Sequence, residues 1–261
     1  MRKLKRTRDY DFQLQIKNPN FIRPPLDSQR NWLLNKAMAE FANDLQALDQ
    51  LATRFVPGAP NTIPFKGTEE ELSDDDIMEN WQIPLMKAMA EIVTEEPGDV
   101  LEIGFGRGIS AEFIQDGAPK SHTIVECNTS VIERFHNWRA DHATADIRLI
   151  PGLWQEVTDQ FGIYDSIFFH TYPLTPEEYA ELVLKSTTFA EHFFPTASAH
   201  LREGGTFTYL TTEIDSLSRA HQRLIFKYFQ AFALQIIKFD LPPDIHDAWW
   251  IDQMAIVKVT R

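Results

Sequence analysis

The stretch Asp99 to Gly108, DVLEIGFGRG, constrains the fold more than any other. Val100, Leu101 and Ile103 form a short, β-branched apolar run around an acidic Glu102, the pattern of a buried strand. Glycines at 104, 106 and 108 then mark a sharp turn, because a residue without a Cβ lets the backbone bend tightly and approach a ligand. Ile109 to Gln115 reads as a helix whose first turn offers free N–H groups at the positive end of its dipole. Strand, glycine turn and helix make half of a nucleotide-binding βαβ unit. The next apolar run, His122 to Cys127, predicts a second strand. It carries Glu126 about twenty residues beyond the glycines, where an acid in Rossmann-like folds accepts hydrogen bonds from a ribose diol. The plainer role for Glu126 is a surface carboxylate at a strand end.

The spacing of the glycines selects the nucleotide. The third follows the second by two residues, whereas the dinucleotide fingerprint places it three after. The E-x-G-x-G form, with Glu102 inside the strand, resembles the first motif of class I S-adenosylmethionine (SAM)-dependent methyltransferases. That resemblance implies SAM as cofactor, with Glu102, Gly104 and Gly106 in its loop and no pyrophosphate to cradle.

Along the chain, residues 1 to about 28 show no sustained period and read as an extended arm. Asp27-Ser28 caps a predicted helix over 29–55, where Trp32, Leu33, Ala37, Phe41, Leu45 and Leu48 recur at helical spacing; Pro57-Gly58 and Pro60 stop it. A second helix is expected from Asp76 to Thr94, kinked or broken at Pro84. After Glu126 the pattern predicts a helix over Ser130–Trp138 and strands over Ile147–Ile150 and Tyr164–Phe169. Two helical stretches (176–186 and 188–201) precede a turn at Glu203-Gly204-Gly205 and a fifth strand, Thr206–Thr211. A helix from Leu217 to Phe232 and strands Gln235–Leu241 and Met254–Thr260 follow. Alternating strands and helices imply an α/β, doubly wound, mostly parallel sheet with an antiparallel last strand, of the Rossmann-like class I methyltransferase type, plus an N-terminal helical cap. Residues 1–75 are assigned to the arm and cap and 76–261 to the SAM-dependent domain. Ligands of such sheets lie at the carboxyl ends of the strands, which brings Gly104–Gly108, Glu126–Asn128, Gly152–Trp154, His170–Tyr172 and Thr211–Glu213 to one rim.

Composition narrows the partners. The net charge of −13 repels phosphate backbones, so no nucleic-acid substrate is expected, and the basic MRKLKRTR start reads as a solvated tail. No apolar run approaches the roughly 20 residues that span a bilayer, and no secretory signal is legible. The single cysteine, Cys127, fits a reducing cytoplasm. No metal-ligand set is assigned, and a homodimer is left open.

Later segments sharpen the family. MENWQIPLM before the core, VLEIGFG, the ECN of Glu126-Cys127-Asn128, GLW at 152–154 and TYPL at 171–174 resemble guanidinoacetate N-methyltransferase and its relatives from about Met78 to Gly205, roughly half the chain. The resemblance implies that Glu126 binds the ribose hydroxyls and that Cys127 and Asn128 flank the adenine. Gly152, Leu153 and Trp154 would line its pocket, and Met78 and Gly104 would contact the methionine part. Trp81, Gln82, His170, Thr171, Tyr172, Thr212 and Glu213 fall on the acceptor side, with Trp81 equally readable as a core aromatic. Trp249-Trp250 reads as core or interface, or as part of a lid with the helix at 29–55.

The departures bear on the substrate. The family's two guanidinium-binding carboxylates are replaced here by Gln82 and His170, and Glu213 stands where the family's acidic substrate sets its own carboxylate. A cation facing two carboxylates gains charge-assisted hydrogen bonds that Gln and neutral His do not supply. The expected acceptor is therefore a small, uncharged nitrogen heterocycle or cyclic dipeptide of indole or imidazole type, N- or C-methylated in specialised metabolism. Methyl transfer is an in-line displacement in which orientation and proton removal dominate. His170 and Glu213, with Glu79, are the candidate base and orienting groups, a backbone-bonded loop histidine being the alternative for His170. Methylation of arginine or another guanidino compound is the alternative substrate reading, and a non-catalytic SAM-binding scaffold the alternative of another class.

Overall fold

A computed structural model describes residues 68–242, 249 and 251–261. The expected arm, the helix at 29–55 and Trp250 lie outside them. Seven strands form one sheet in the order β3-β2-β1-β4-β5-β7-β6: β1 (Asp99–Ile103), β2 (Ser121–Glu126), β3 (Ile147–Pro151), β4 (Tyr164–Phe169), β5 (Leu201–Thr211), β6 (Ala231–Lys238) and β7 (Gln253–Thr260). The first five pair in parallel, and β7 runs antiparallel to both β5 and β6. This is the doubly wound, Rossmann-like class I methyltransferase sheet with its reversed last strand.

The helices are α1 (Asp74–Ile77), α2 (Ile83–Val93), α3 (Ile109–Asp116), α4 (Thr129–Asp141), α5 (Pro176–Tyr179), α6 (Phe194–His200) and α7 (Arg219–Tyr228). The helix expected over Asp76–Thr94 is two pieces. Met78 and Glu79 are extended, a 3-10 turn covers Asn80–Gln82, and Pro84 sits in the first turn of α2, where its missing N–H costs nothing. Residues 68–75 belong to the same compact unit as the sheet. The stretches expected as helices over 176–186 and 188–201 are shorter than that: α5 runs into a π turn at Ala180–Leu184, and a 3-10 turn at Phe189–His192 precedes α6. Gly204 and Gly205 lie inside β5 rather than ahead of it. Gly204 adopts a φ of +77° and bonds across to Arg261, so the pair bulges the strand without ending it. α7 stops at Tyr228, four residues before its expected end. Ala231 to Leu234 join β6 because pairing with β7, Ala231 opposite Thr260, satisfies their backbone groups.

Strands β1, β2 and β4 are buried almost throughout, as helices on both faces require. On one face Phe169, Phe193, Phe194, Phe207, Tyr209 and Phe229 form an aromatic core. Phe194 is fully buried and meets Phe207 and Tyr209 at centroid distances of 5.9 and 5.2 Å. Phe194→Ala is expected to cost about 3–5 kcal/mol in chemical denaturation. Phe226→Ala, at a side chain 57% exposed, is expected to stay within about 0.5 kcal/mol.

Candidate functional site

The carboxyl ends of β1, β2, β3 and β4 open into one shallow cleft, lined by Gly104, Glu126, Cys127, Gly152, Leu153, Trp154, Thr171 and Tyr172 among others. Gly104 has a φ of +93°, and a Cβ there would overlap the carbonyl oxygen of His170. Glycine is therefore required for β1 to turn beside the end of β4. Trp154 packs edge-on to Phe193 and Phe169, with centroids 5.1 and 6.2 Å away, which fixes one apolar wall.

Glu126 organises the polar wall. It is buried, and its Oε2 accepts the N–H groups of Phe105 (3.0 Å) and Gly106 (3.3 Å), while Oε1 accepts those of Cys127 (2.8 Å) and Asn128 (2.9 Å). One carboxylate thus ties the glycine loop to the turn after β2. Burial and the adjacent Glu126 push the Cys127 thiol up to about 12, so it stays protonated and is no nucleophile at neutral pH.

Other residues of the expected cofactor set lie around this cleft without lining it. Gly106 packs against Ile77. Met78 is buried, and its carbonyl accepts a hydrogen bond from Arg107 at 2.8 Å. Asn128 caps α4 through Oδ1 and donates through Nδ2 to the Glu70 carbonyl at 3.0 Å. Glu102 corrects the sequence reading. Its carboxylate is fully buried: Oε1 accepts from the Ser110 hydroxyl of α3, and Oε2 lies 3.0 Å from Nε2 of His122 on β2 without hydrogen-bond geometry. It holds α3 against the sheet, and no part of it lines the cleft.

On the acceptor side, Thr171 and Tyr172 stand at the cleft's mouth, Tyr172 being 57% exposed. His170 is partly buried, its main-chain N–H bonded to the Ile103 carbonyl at 3.2 Å. Loss of solvent lowers its imidazole from 6.5 to about 4. At neutral pH it is therefore an uncharged hydrogen-bonding group, a weaker base than an exposed histidine. Thr212 is exposed. Trp81 is buried with no partner for its indole N–H, its ring 4.9 Å from that of Phe239; Gln82 and Glu79 flank it in the same 3-10 turn and its cap.

Glu213 also departs from its expected role. Its Oε2 lies 2.6 Å from Nδ1 of His221, whose Nε2 is 2.8 Å from the Tyr209 hydroxyl, and its Oε1 accepts the Ser218 N–H at 2.8 Å. Partial burial raises its carboxyl, but the hydrogen bonds from His221 and Ser218 outweigh that and leave it below its ordinary value. Both oxygens serve the turn from β5 to α7, so Glu213 is bound inward instead of standing free as a base.

Two residues escaped the sequence reading. Arg107 sits between two loop glycines, and its charge was the available signal. Glu178 lines the cleft and accepts the Leu174 N–H at 2.8 Å; nothing in its acidic surroundings marked it. Among the described residues no cluster of three or more His, Cys, Asp or Glu could hold a metal ion, and no helix is long and apolar enough to cross a membrane.

A family profile described as guanidinoacetate N-methyltransferase matches residues 61–238. The protein arginine N-methyltransferase 2 of Candida glabrata is 30% identical over 149 residues, which cover 51% of this chain and 35% of that protein. That of Eremothecium gossypii is 27% identical over 145 residues, covering 51% and 32%. The chain thus spans about a third of the length of these curated relatives. Among solved structures, M. jannaschii TYW2 in complex with AdoMet superposes with a TM-score of 0.50 at 14% identity, covering 70% of this chain and 76% of that one, a likeness of fold.

The four-donor arrangement at Glu126 yields a prediction. In Glu126→Gln, an amide NH2 replaces one acceptor oxygen and faces N–H groups it cannot accept. The variant is expected to lose about 1–3 kcal/mol in urea denaturation and at least about tenfold in S-adenosylhomocysteine affinity by titration calorimetry.

Proposed function

The chain belongs to the guanidinoacetate N-methyltransferase family, SAM-dependent enzymes of class I fold, and on that footing we propose that it methylates a small, uncharged nitrogen heterocycle or amide. An indole- or imidazole-bearing cyclic dipeptide fits this description. The cleft suits the cofactor the family uses. It has apolar walls at Leu153 and Trp154, an acid at Glu126, and a glycine where a Cβ would intrude. In the proposed arrangement Gly104 and Gly106 admit the amino-acid part, and Glu126 receives the ribose hydroxyls in place of its longer bonds to Phe105 and Gly106. Leu153 and Trp154 cover the base. The bound cofactor supplies an electrophilic methyl group on a sulfonium.

The feature that carries the acceptor reading is a histidine at the end of β4, His170, held there by its N–H on the Ile103 carbonyl and its carbonyl against Gly104, with loss of solvent lowering its imidazole. Where the family's resemblance implies a carboxylate, this chain has a neutral ring. Gln82 replaces the second carboxylate, and Glu213 is bound inward by His221 and Ser218. A guanidinium drawn out of water against such a surface would lack its counter-charge, a penalty of several kcal/mol. A neutral N–H instead finds a hydrogen-bond acceptor in the imidazole, which orients the acceptor nitrogen, and the proton released on methylation passes to water. Methyl transfer to arginine, the activity named for the curated relatives, is the second reading; it would need acidic partners outside this set.

Mass spectrometry of acceptors incubated with purified protein and SAM tests the proposal. Cyclic dipeptides containing Trp or His are expected to gain one methyl group, with guanidinoacetate, arginine and arginine peptides unmodified. Saturable methylation of any guanidino compound would overturn the acceptor reading, and cofactor uptake without turnover on any acceptor would favour the scaffold.

His170 also gives a pH signature. Activity is expected to show no limb near 6.5 and to fall only toward about 4, as the buried ring protonates. Between those values the unfolded chain binds a proton that the folded chain refuses, so stability is complete above 6.5 and declines as pH falls toward 4. His170→Asn is expected to flatten that decline in denaturation curves taken across the same window.

A further inference from the structure

Arg107 stands between Gly106 and Gly108 in the cofactor loop, yet its side chain leaves the loop altogether. Its Nη1 donates to the Met78 carbonyl at 2.8 Å and to Oδ1 of Asn80 at 2.9 Å, and its Nη2 lies 3.5 Å from the Asp74 carboxylate. The Arg107 side chain is only 16% exposed. All three acceptors belong to the segment ahead of α2, which continues into Trp81 and Gln82. That segment is anchored a second time, on α4: Ser130 Oγ accepts the Leu72 N–H at 3.2 Å, Arg134 donates to the Leu72 carbonyl at 2.6 Å, and Arg134 also pairs with Asp74. Ile77 closes the gap against Gly106.

We propose that Arg107 is a positioning residue that couples the cofactor loop to the acceptor wall at Met78–Gln82. The inference rests on reading the glycine loop as the SAM site. Met78 and Glu79 are extended; the Met78 N–H closes back on the Asp74 carbonyl and the Glu79 carbonyl accepts the Gln82 N–H, so these bonds hold the segment to itself and not to the glycine loop. The Arg107 guanidinium ties the glycine loop to this segment, through one backbone and one side-chain acceptor. Setting the loop then sets the wall, and cofactor bound on the loop favours the ordered acceptor segment. Lysine carries the charge without the planar fork, so it reproduces part of this geometry.

The full chain is titrated with S-adenosylhomocysteine by calorimetry as wild type, Arg107→Met, Arg107→Lys and Asn80→Ala, with hydrogen exchange followed over residues 74–82. Arg107→Met is expected to weaken binding at least about tenfold, Arg107→Lys to recover part of it, and Asn80→Ala to lose less in the same direction. Amides of 78–82 are expected to gain protection on binding in the wild type and not in Arg107→Met. Affinity within about twofold of wild type in Arg107→Met, or an undiminished protection gain, overturns the coupling, even if the melting temperature falls. Should Arg107→Met not fold, Asn80→Ala decides, because it leaves loop and guanidinium intact; unchanged affinity and protection there overturn the proposal. No uptake by the wild type would instead overturn the reading of the loop on which the proposal rests.

Discussion

The site depends on one buried carboxylate. Glu126 gathers four backbone N–H groups, two from the loop after β1 and two from the turn after β2. Parallel strands fix their neighbours' spacing, but loops at their carboxyl ends have no ladder to hold them. A charged acceptor with about four lone-pair positions supplies that missing constraint, and in a desolvated setting each bond is stronger than its counterpart in water. The glycine loop is therefore held where Gly104 can lie against the His170 carbonyl. The ends of β1, β2 and β4 become one rigid rim.

The same economy recurs with other acids. Glu102 is spent holding α3 and β2 together through Ser110 and His122, and Glu213 is spent on His221 and Ser218. Both stood in the sequence as functional carboxylates. Sequence position gave each its strand-end or motif location correctly, yet it carried no information about direction. The partners are a helix residue eight positions from Glu213 and a histidine on the neighbouring strand from Glu102. Whether an acid faces a ligand or a neighbour depends on which side chain meets it in three dimensions.

The sheet was legible because its signal is redundant. β1, β2 and β4 are continuous apolar runs, and the glycine turn together with the acid after β2 fixes their order and direction. Where the signal was single-valued it misled. Ala231–Leu234 suits a helix or a strand equally, and only pairing with β7 decides. Gly204-Gly205 marks a bend, but whether a bend ends a strand or bulges it depends on the partner, here Arg261. Met78 and Glu79 sit inside a helical pattern broken by contacts to a loop nearly thirty residues away, which no local rule anticipates.

These facts together bear on how such a site changes substrate while keeping its cofactor. The groups that hold the cofactor rim are backbone donors, glycines and one carboxylate, all constrained by the fold, so the rim tolerates little change. The acceptor side proposed above is built from side chains on turns, at Gln82, His170 and Thr212. An amide and an imidazole stand where the family resemblance implies two carboxylates, which removes charge without disturbing any strand. A histidine at the end of β4 is kept neutral by its lack of solvent, and that neutrality costs stability only in acid. In the proposed reading recognition thereby shifts from charge pairing, which demands a cation, to shape and a directional hydrogen bond, which demand a flat ring bearing an N–H.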